Sequence, residues 1–419
     1  MENYKCKSVG IIGSGIQGVC IGLQLIKKGI PVTIFDRQDP LSNEFKPASY
    51  GNAGHFSPYA VLQLNRPDIL FDVPKMLFSS YGPLALKWNY VPKMLKWFFY
   101  YLKNCNTKSM MHTAKSMNQI LSLSNDAYEE IFQEIDTKGL VEKNGIVYVW
   151  TNQNLKSRKL EIKVREQLGV KQKLLTQKEV LQLEPNLNPV FDAGILYEYA
   201  MHARDPHGIL KQIFKLFLLK GGNFVQTNVK SIEQTKTEET VIKSEDEEYK
   251  FEKSVIASGA FSKKFTDQLG ENIPLDTERG YHVHFKGKEK LISRPVIFLD
   301  RGFGLTPMNQ GLRAVGTVEL GGTKNPLSKK RIEYVIRCAK ELLPQLGEHD
   351  DEWLGFRPTL PDFLPILGPS LKNKNIIYAF GHQHLGWTLG AITGKIISGV
   401  VAGEKTNLDL SPYSSKRFN

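Results

Sequence analysis

Cysteine is scarce in this sequence, and metal-binding patterns are missing. The four cysteines among 419 residues are widely spaced and form no CxxC pair. This spacing argues against a disulfide framework or a zinc site and favours a reducing compartment. Histidine, cysteine and acidic residues do not occur at the spacing typical of a metal site, so we expect no metal.

Internal repeats, low-complexity linkers and a convincing transmembrane segment are also missing. Two stretches are uncharged, 8–26 and 376–394, but the first has glycines at turn-forming spacing and the second has histidines and glycines. We therefore reject a signal peptide for the first and a membrane span for the second. With 41% hydrophobic and 23% charged residues, the chain is typical of a globular protein large enough for two interleaved domains.

Acidic residues are outnumbered, since 55 Lys and Arg against 43 Asp and Glu give a formal net charge of +12 at pH 7. The basic residues are dispersed in short groups, such as 27–28, 263–264 and 329–331, and no aromatic-interleaved basic motif accompanies them. We interpret them as solvated surface and expect no nucleic-acid partner. Residues 233–253 alternate acidic and basic side chains, which predicts a solvated hairpin.

A glycine-rich turn near the start of the chain is the first strong signal. The apolar strand 8–12 is followed by Gly13, Gly15 and Gly18 and then by a helix that ends at Gly29. Such glycines permit a tight turn, close approach of the backbone to a pyrophosphate, and close packing of the helix on the strand. The positive end of the helix favours the phosphate.

An acidic residue follows at the distance that a nucleotide site requires. Asp36 ends the next apolar strand, about 20 residues beyond Gly15, where a carboxylate accepts hydrogen bonds from ribose hydroxyls. A carboxylate there would repel a 2′-phosphate. The strand, turn, helix and acid together predict a dinucleotide site and disfavour NADP.

Further small-residue segments suit contact with a flat cofactor. Residues 47–55 are polar and rich in glycine, so their backbone can pass close to a ligand. The apolar strand at 255–256 ends in Ala257-Ser258-Gly259, where a parallel sheet would deliver backbone to the cofactor.

Taken in order from about Val9 to the C-terminus, these motifs resemble the D-amino acid oxidase/glycine oxidase (DAO) superfamily of FAD-dependent oxidoreductases, and within it the bacterial D-amino acid dehydrogenase group. Besides the first glycine turn, the resemblance lies in Tyr50-Gly51-Asn52-Ala53-Gly54, Arg279-Gly280-Tyr281, Gly355-Phe356-Arg357-Pro358, Gly381-His382 and Leu385-Gly386-Trp387-Thr388.

The resemblance implies an α/β fold with a discontinuous FAD-binding domain. A Rossmann-like domain of the glutathione-reductase type would be interleaved with an α+β substrate domain built on an antiparallel sheet. On this basis we expect residues 1–65, 195–270 and 350–419 in the FAD-binding domain, and residues 66–194 and 271–349 in the substrate domain.

The resemblance also implies non-covalent FAD and a set of site residues. Arg357 matches the arginine that pairs with a substrate carboxylate, and His55 and His384 are further catalytic candidates. One departure is that Gly304 takes the place of a tyrosine in glycine oxidase. The expected cofactor-binding residues are Gly13, Gly15, Gly18, Asp36, Arg37, Ser49, Asn52, Ala53, Gly54, Val229, Ala257, Ser258, Gly259, Gly386, Trp387 and Thr388.

The implied activity is oxidative deamination of a D-amino acid, or of a cyclic D-imino acid such as D-proline or hydroxyproline. A hydride would pass from the α-carbon to flavin N5, and the electrons would pass on to quinone or another acceptor. Two alternatives stay open: an oxygen-using glycine or sarcosine type of amine oxidase, and a tRNA-modifying flavin oxidase.

The aromatic and lysine-rich region 88–103 has two interpretations. We favour a helix packed inside the substrate domain, while a helix resting on an anionic membrane, where it would meet quinone, stays open. The expected location is cytoplasmic, with peripheral contact at the inner face of the cell membrane as the open alternative.

Overall fold

The structure is a computed structural model that describes residues 6–70, 73, 82–152, 155–235 and 237–418. Its strands, in chain order, are β1 (Val9–Ile12), β2 (Val32–Asp36), β3 (His55–Phe56), β4 (Leu84–Leu86), β5 (Val141–Glu142), β6 (Ile146–Trp150), β7 (Lys173–Thr176), β8 (Ala193–Tyr197), β9 (Met201–Ala203), β10 (Asn223–Gln226), β11 (Ser231–Gln234), β12 (Thr240–Lys243), β13 (Glu248–Phe251), β14 (Lys253–Ile256), β15 (Asp276–Phe285), β16 (Val296–Phe298), β17 (Phe303–Met308), β18 (Gly311–Leu320), β19 (Asp351–Thr359), β20 (Ile366–Pro369) and β21 (Ile376–Phe380).

The α-helices in the described part of the chain are α1 (Ile16–Lys27), α2 (Val91–Asn104), α3 (Thr107–Leu121), α4 (Ser124–Phe132), α5 (Leu155–Gln167), α6 (Gln177–Leu183), α7 (Pro206–Leu219), α8 (Ser262–Gln268), α9 (Lys329–Leu342) and α10 (Gly386–Ala402). Short 3₁₀ helices lie at Trp88–Tyr90, Gly259–Phe261, Leu299–Arg301, Gln383–Leu385, Ser411–Tyr413 and Ser415–Phe418.

A six-stranded sheet forms the first layer, in the order β10-β2-β1-β14-β21-β20. Its strands are parallel except β20, which runs antiparallel to β21. Strands such as β1 are buried along their whole length, as parallel strands covered on both faces must be. Helices α1, α7 and α10 cover one face, while the β11-β12-β13 meander covers part of the other.

A nine-stranded, mainly antiparallel sheet forms the second layer. Its order is β19-β15-β18-β17-β16-β6-β8-β7, with β4 pairing to β18. Helix α9 packs its apolar stripe on the face of β15, β17 and β18 that lies away from the first sheet. The predicted α/β class is confirmed, with a mainly parallel sheet beside a mainly antiparallel one.

Sheet membership divides the chain differently from the predicted domain limits at two places. Residues 351–359 form the edge strand β19 of the antiparallel sheet, although we expected 350–419 in the cofactor domain. Strand β8 likewise crosses the expected limit at residue 195. The two divisions differ because strand pairing, rather than the order of the motifs, decides to which sheet a segment belongs. The domain limits themselves stay a prediction.

The predicted solvated hairpin is one part of the three-stranded meander β11-β12-β13. Its outer face carries ion pairs such as Lys243 with Glu233 and Glu248. Its inner face is not solvated, because Ile242 and Phe251 are buried against the first sheet.

Helix α2 is packed along one face only. Met94 and Trp97 are buried, and the Trp97 indole donates to the carbonyl of Thr359. On the other face Leu95 and Phe99 remain 63% and 64% exposed. The favoured interpretation of a helix enclosed by the substrate domain therefore holds for half of its surface.

Helices α1 and α10 pack unusually closely. A Cβ on Gly394 would lie 2.7 Å from the backbone oxygen of Cys20, so only glycine allows this approach. At the start of both helices, the Gln17 amide donates to the carbonyl of Gly386 at 2.6 Å. The contact brings the N-termini of the two helices to the same edge of the parallel sheet.

The same packing explains the composition of the last helix. The segment Gln383–Ala402 is long and apolar enough to cross a bilayer, and 72% of its apolar window is buried inside the structure. Burial against α1, α3 and α4 accounts for that composition, as in the core helix of a globular protein. The segment is therefore weak evidence for a membrane span.

We expect Gly394→Ala to lower the free energy of unfolding by about 1–3 kcal/mol, because the added methyl group meets the backbone of α1. The control is Gly399→Ala in the same helix, where a Cβ would contact only the Glu404 side chain at 3.4 Å. That variant should be neutral or stabilised by up to about 1 kcal/mol. Thermal unfolding of both variants beside the parent protein is the measurement, and equal shifts would contradict the close contact.

Candidate functional site

A cavity of about 640 Å³ lies between the two sheets. Its walls come from the carboxyl ends of β1, β2, β14 and β21 and from the face of β15 and β19 that is turned toward them. Ligands of open parallel sheets bind beyond the carboxyl ends of the strands, so the cavity is where the fold places a cofactor.

The glycine turn forms one end of the cavity and leaves room for backbone contacts. Gly13 has φ +109°, and a Cβ there would lie 2.7 Å from the carbonyl oxygen of Ala257. A Cβ on Gly18 would overlap the Gly13 carbonyl oxygen. Gly15 is the N-cap of α1, provides no side-chain cap and lines the cavity, so the positive end of the helix lies at the wall, where it suits a phosphate.

Asp36 lies at the same end. One carboxylate oxygen accepts hydrogen bonds from the Ser14 amide at 2.8 Å and from the Ser14 hydroxyl at 2.9 Å. These bonds fix the carboxylate at the cavity wall, where it suits a ribose hydroxyl. Arg37 and Val229 line the wall beside it.

At the other end, three buried polar atoms have no hydrogen-bond partner among the described residues. They are Oε1 of Gln17, Oε1 of Gln383 and Nε1 of Trp387, and all three residues line the cavity. Helix α10 begins at Gly386 between them, with its positive end at the wall. Two unpaired acceptors and one unpaired donor fit a heteroaromatic ring that itself carries hydrogen-bond donors and acceptors. The positive end of the helix fits a ring that gains negative charge on reduction. Flavin has both properties.

The segment around Asn52 is held in place by side chains. The Gly54 amide donates to Oδ1 of Asn52 at 2.5 Å, and the Asn52 amide group bonds back to the carbonyl of Ser49. Buried Arg313 donates to the carbonyl of Asn52 at 2.6 Å. Burial lowers the pKa of Arg313 to about 10. We did not anticipate this clamp from the sequence, because Arg313 belongs to no motif.

Arg357 is brought into the cavity wall by β19, directly opposite Glu278 of β15. Its Nη1 donates to the carbonyl of Thr317 at 2.9 Å. Thr317 has φ +63° in an irregular stretch of β18, which aims this carbonyl at the guanidinium. A Cβ on Gly280 would overlap Nη2 of Arg357, so the guanidinium lies in the space that a larger residue would fill.

The two histidine candidates are placed differently. His384 lines the cavity, and burial, with a smaller contribution from Arg357, lowers its pKa to about 4. The side chains of His384 and Arg357 keep exposed surface because they face the cavity. His55 is absent from the wall; its Nε2 is 2.8 Å from the Thr306 hydroxyl, and burial lowers its pKa to about 3. Both imidazoles are therefore neutral at pH 7.

Most of the expected cofactor residues line the cavity: Gly13, Gly15, Asp36, Arg37, Ser49, Asn52, Ala53, Val229, Ala257, Ser258, Gly259, Gly386 and Trp387. Gly18, Gly54 and Thr388 lie behind it. The Thr388 hydroxyl supports the wall by accepting from the Ser57 amide at 3.0 Å and donating to the His55 carbonyl at 3.2 Å.

One group of possible metal ligands lies behind the same wall. Ligand atoms of His282, His284 and Asp351 are within 4.8 Å of one another. However, Nε of Arg313 donates to Nε2 of His284 at 2.8 Å, and Nδ1 of His282 is 3.0 Å from the Gly51 carbonyl. The nearby guanidinium would repel a cation, so we interpret the cluster as structural support for the Asn52 segment.

The chain is similar to known oxidoreductases over nearly its whole length. The family described as FAD dependent oxidoreductase (DAO) matches residues 8–399. A D-amino-acid oxidase from Bradyrhizobium diazoefficiens is 31% identical over 98% of this chain and 99% of its own. A D-amino acid dehydrogenase from Vibrio vulnificus is 27% identical over 97% and 99%.

Among solved structures, glycine oxidase from Geobacillus kaustophilus has the same fold. Its TM-score is 0.75 at 21% sequence identity, and the match covers 99% of both chains. The predicted family and cofactor are thus confirmed. The unpaired polar atoms of Gln17, Gln383 and Trp387 and the glycine turn at the other end of the cavity suit that cofactor. The chain belongs to the DAO family of FAD-dependent oxidoreductases.

Proposed function

We propose that the protein oxidises a D-amino acid, or a cyclic D-imino acid such as D-proline or hydroxyproline, at the α-carbon. The observation that carries the proposal is Arg357, a guanidinium held in the wall of the cavity whose far end suits flavin. The names of the relatives, a D-amino-acid oxidase and a D-amino acid dehydrogenase, support the same substrate class.

Arg357 would bind the substrate carboxylate. A guanidinium binds a carboxylate through two parallel hydrogen bonds and stays charged when water is excluded. Thr317 and Gly280 fix its position, so the α-carbon is held at one place in the cavity. FAD, when bound, supplies the acceptor for the hydride of that carbon.

The surroundings of Arg357 also favour the neutral amine that the reaction needs. His384 faces the same space and is uncharged at pH 7, so it offers no negative charge that would stabilise an ammonium group, and its neutral ring can accept a hydrogen bond from an amine. Burial itself disfavours the charged amine. The protein therefore works by orientation and by selection of the reactive protonation state.

An oxygen-using glycine-type oxidase remains the second candidate, since glycine oxidase shares the fold. Glycine oxidase has a tyrosine where this chain has Gly304, so the carboxylate-binding site of this chain differs from that of glycine oxidase. This difference favours the dehydrogenase. A tRNA-modifying oxidase is less favoured, because the cavity wall offers a site for a small carboxylate.

We further propose that the electron acceptor is a quinone reached at a membrane surface. Tyr90 lines the cavity, and its neighbour Trp88 is 65% exposed. Next to them α2 presents an apolar row, Leu95, Phe99 and Leu102, each at least 59% exposed. Lysines flank this row and suit anionic lipid. On this proposal the protein is cytoplasmic and peripheral on the inner face of the cell membrane.

Replacement of the carboxylate-binding group tests the substrate class. We expect Arg357→Ala to lower kcat/KM roughly 10²- to 10³-fold, because an unpaired buried carboxylate costs about 3–5 kcal/mol. Arg301→Ala, which removes a guanidinium 44% exposed on the surface, is the control and should change kcat/KM little. A loss below about threefold for Arg357→Ala would contradict the assignment.

Anaerobic bleaching of the bound flavin identifies the substrate. The panel contains both enantiomers of alanine, proline and hydroxyproline, with glycine and sarcosine. We expect rapid bleaching by a D-enantiomer, slow reoxidation by air and fast reoxidation by a quinone analogue. Bleaching only by glycine or sarcosine, with fast reoxidation by air, would instead establish the oxidase.

Flotation with vesicles tests the membrane proposal. The protein should float with vesicles that contain phosphatidylglycerol but not with phosphatidylcholine alone, and Leu95→Ser combined with Phe99→Ser should abolish flotation. Leu219→Ser on α7, which removes another leucine that is 84% exposed, is the matched control and should float as the parent does. Equal flotation of all three proteins would exclude α2 as the contact.

A further inference from the structure

Glu278 is a buried carboxyl beside the proposed substrate site that the mechanism above does not use. Only 4% of the residue is exposed. It is the register partner of Arg357 in β15 and β19, so both side chains leave the same face of the sheet. Arg357 lines the cavity, whereas Glu278 lies behind the wall, and its carboxylate acts on the guanidinium by charge without a direct ion pair. Within the described ranges, we find no hydrogen bond to its carboxylate.

The groups around Glu278 leave Arg357 as its counter-charge. From α2, Tyr101 lies nearby but donates its hydroxyl proton to the carbonyl of Leu64 at 3.0 Å. On β18 the register partner is apolar Leu320. On β15, the strand of Glu278 itself, a carboxylate oxygen of Asp276 accepts a hydrogen bond from the Tyr90 hydroxyl at 3.3 Å. Burial raises the pKa of the Glu278 carboxyl, and Arg357 opposes that rise.

A substrate carboxylate would enter a site that already holds one carboxylate. Two carboxylates beside a single buried guanidinium repel each other, so keeping both ionised is costly. The hydrogen bond from Nη1 to the Thr317 carbonyl holds Arg357 at this place. Binding of the substrate carboxylate therefore favours protonation of Glu278.

We propose that Glu278 is the counter-ion of Arg357 in the substrate-free protein and takes up one proton when a substrate carboxylate binds Arg357. The inference rests on the proposed function, since it needs that carboxylate. For an amino acid that arrives as a zwitterion, the ammonium group loses one proton and Glu278 gains one. The products are the neutral amine and the neutral carboxylic acid, and nothing is oxidised or reduced in this step.

Glu278 is thus a positioning residue that couples binding to the protonation state of the amine. The exchange leaves the total charge of the site unchanged while the amine becomes reactive. No net proton needs to pass between the substrate and bulk water when the zwitterion binds.

The test uses FAD-loaded protein and a carboxylate without an amine, such as propionate or benzoate, whose binding is followed by the change in flavin absorbance. Calorimetry at pH 8 in buffers of different ionisation enthalpy gives the number of protons taken up. We expect about one proton per ligand, and a Kd that rises about tenfold per pH unit above the pKa of free Glu278.

Glu278→Gln should bind the carboxylate more tightly than the parent at pH 8, with no proton uptake and a flat pH profile. Asp276→Asn is the matched control, because burial raises the pKa of that carboxyl too and it lies on the same strand. It should keep the proton uptake.

Binding by the parent protein without proton uptake would overturn this inference and leave the proposed function standing. Uptake that persists in Glu278→Gln would also overturn it, since another group would then be responsible. Failure of the parent protein to bind any carboxylate between pH 6 and 9 would instead overturn the role of Arg357 and the proposed function with it.

Discussion

Gly394 of α10 lies against the backbone of Cys20 in α1, and this contact holds the two helices close to each other. Because the two helices are rigid, their first turns stand at fixed positions along the edge of the parallel sheet. One N-terminus faces the phosphate end of the cavity and the other faces the end that suits the flavin ring. Gln17, which bonds across to Gly386, ties the two ends together. A wider helix packing would separate the two halves of the cofactor site.

The second sheet brings Arg357 to the end of the cavity at which His384 lies. Burial keeps the imidazoles of His384 and His55 uncharged, and Arg313 is occupied by backbone carbonyls of the Asn52 segment. Arg357 and Glu278 then form a pair of opposite charges on one face of adjacent strands. An anion that binds there changes the balance of this pair. The chemistry of the site thus depends on where the sheet places two side chains.

Local spacing explains why part of the site can be predicted from the sequence. The glycine turn and Asp36 belong to one strand-turn-helix-strand unit, so their relation is visible in consecutive residues. Glu278 and Thr317 were missed because their relation to Arg357 depends on strand register, which no local pattern records. Strand pairing also decides the placement of His55, whose catalytic role stays a prediction. His55 follows Gly54 directly, yet strand β3 turns its ring toward Thr306 rather than into the cavity.

The bond between Gln17 and Gly386 joins residues 369 positions apart, which has a consequence for biosynthesis. At about 5–20 residues per second, a ribosome needs roughly 20–70 s to travel that distance. Throughout this interval the side of α1 that packs on α10, which includes Ile16 and Cys20, is not covered by that helix. The two halves of the cofactor site therefore cannot meet until the residues of α10 have been synthesised. Until then the first helix keeps apolar surface that the folded protein buries.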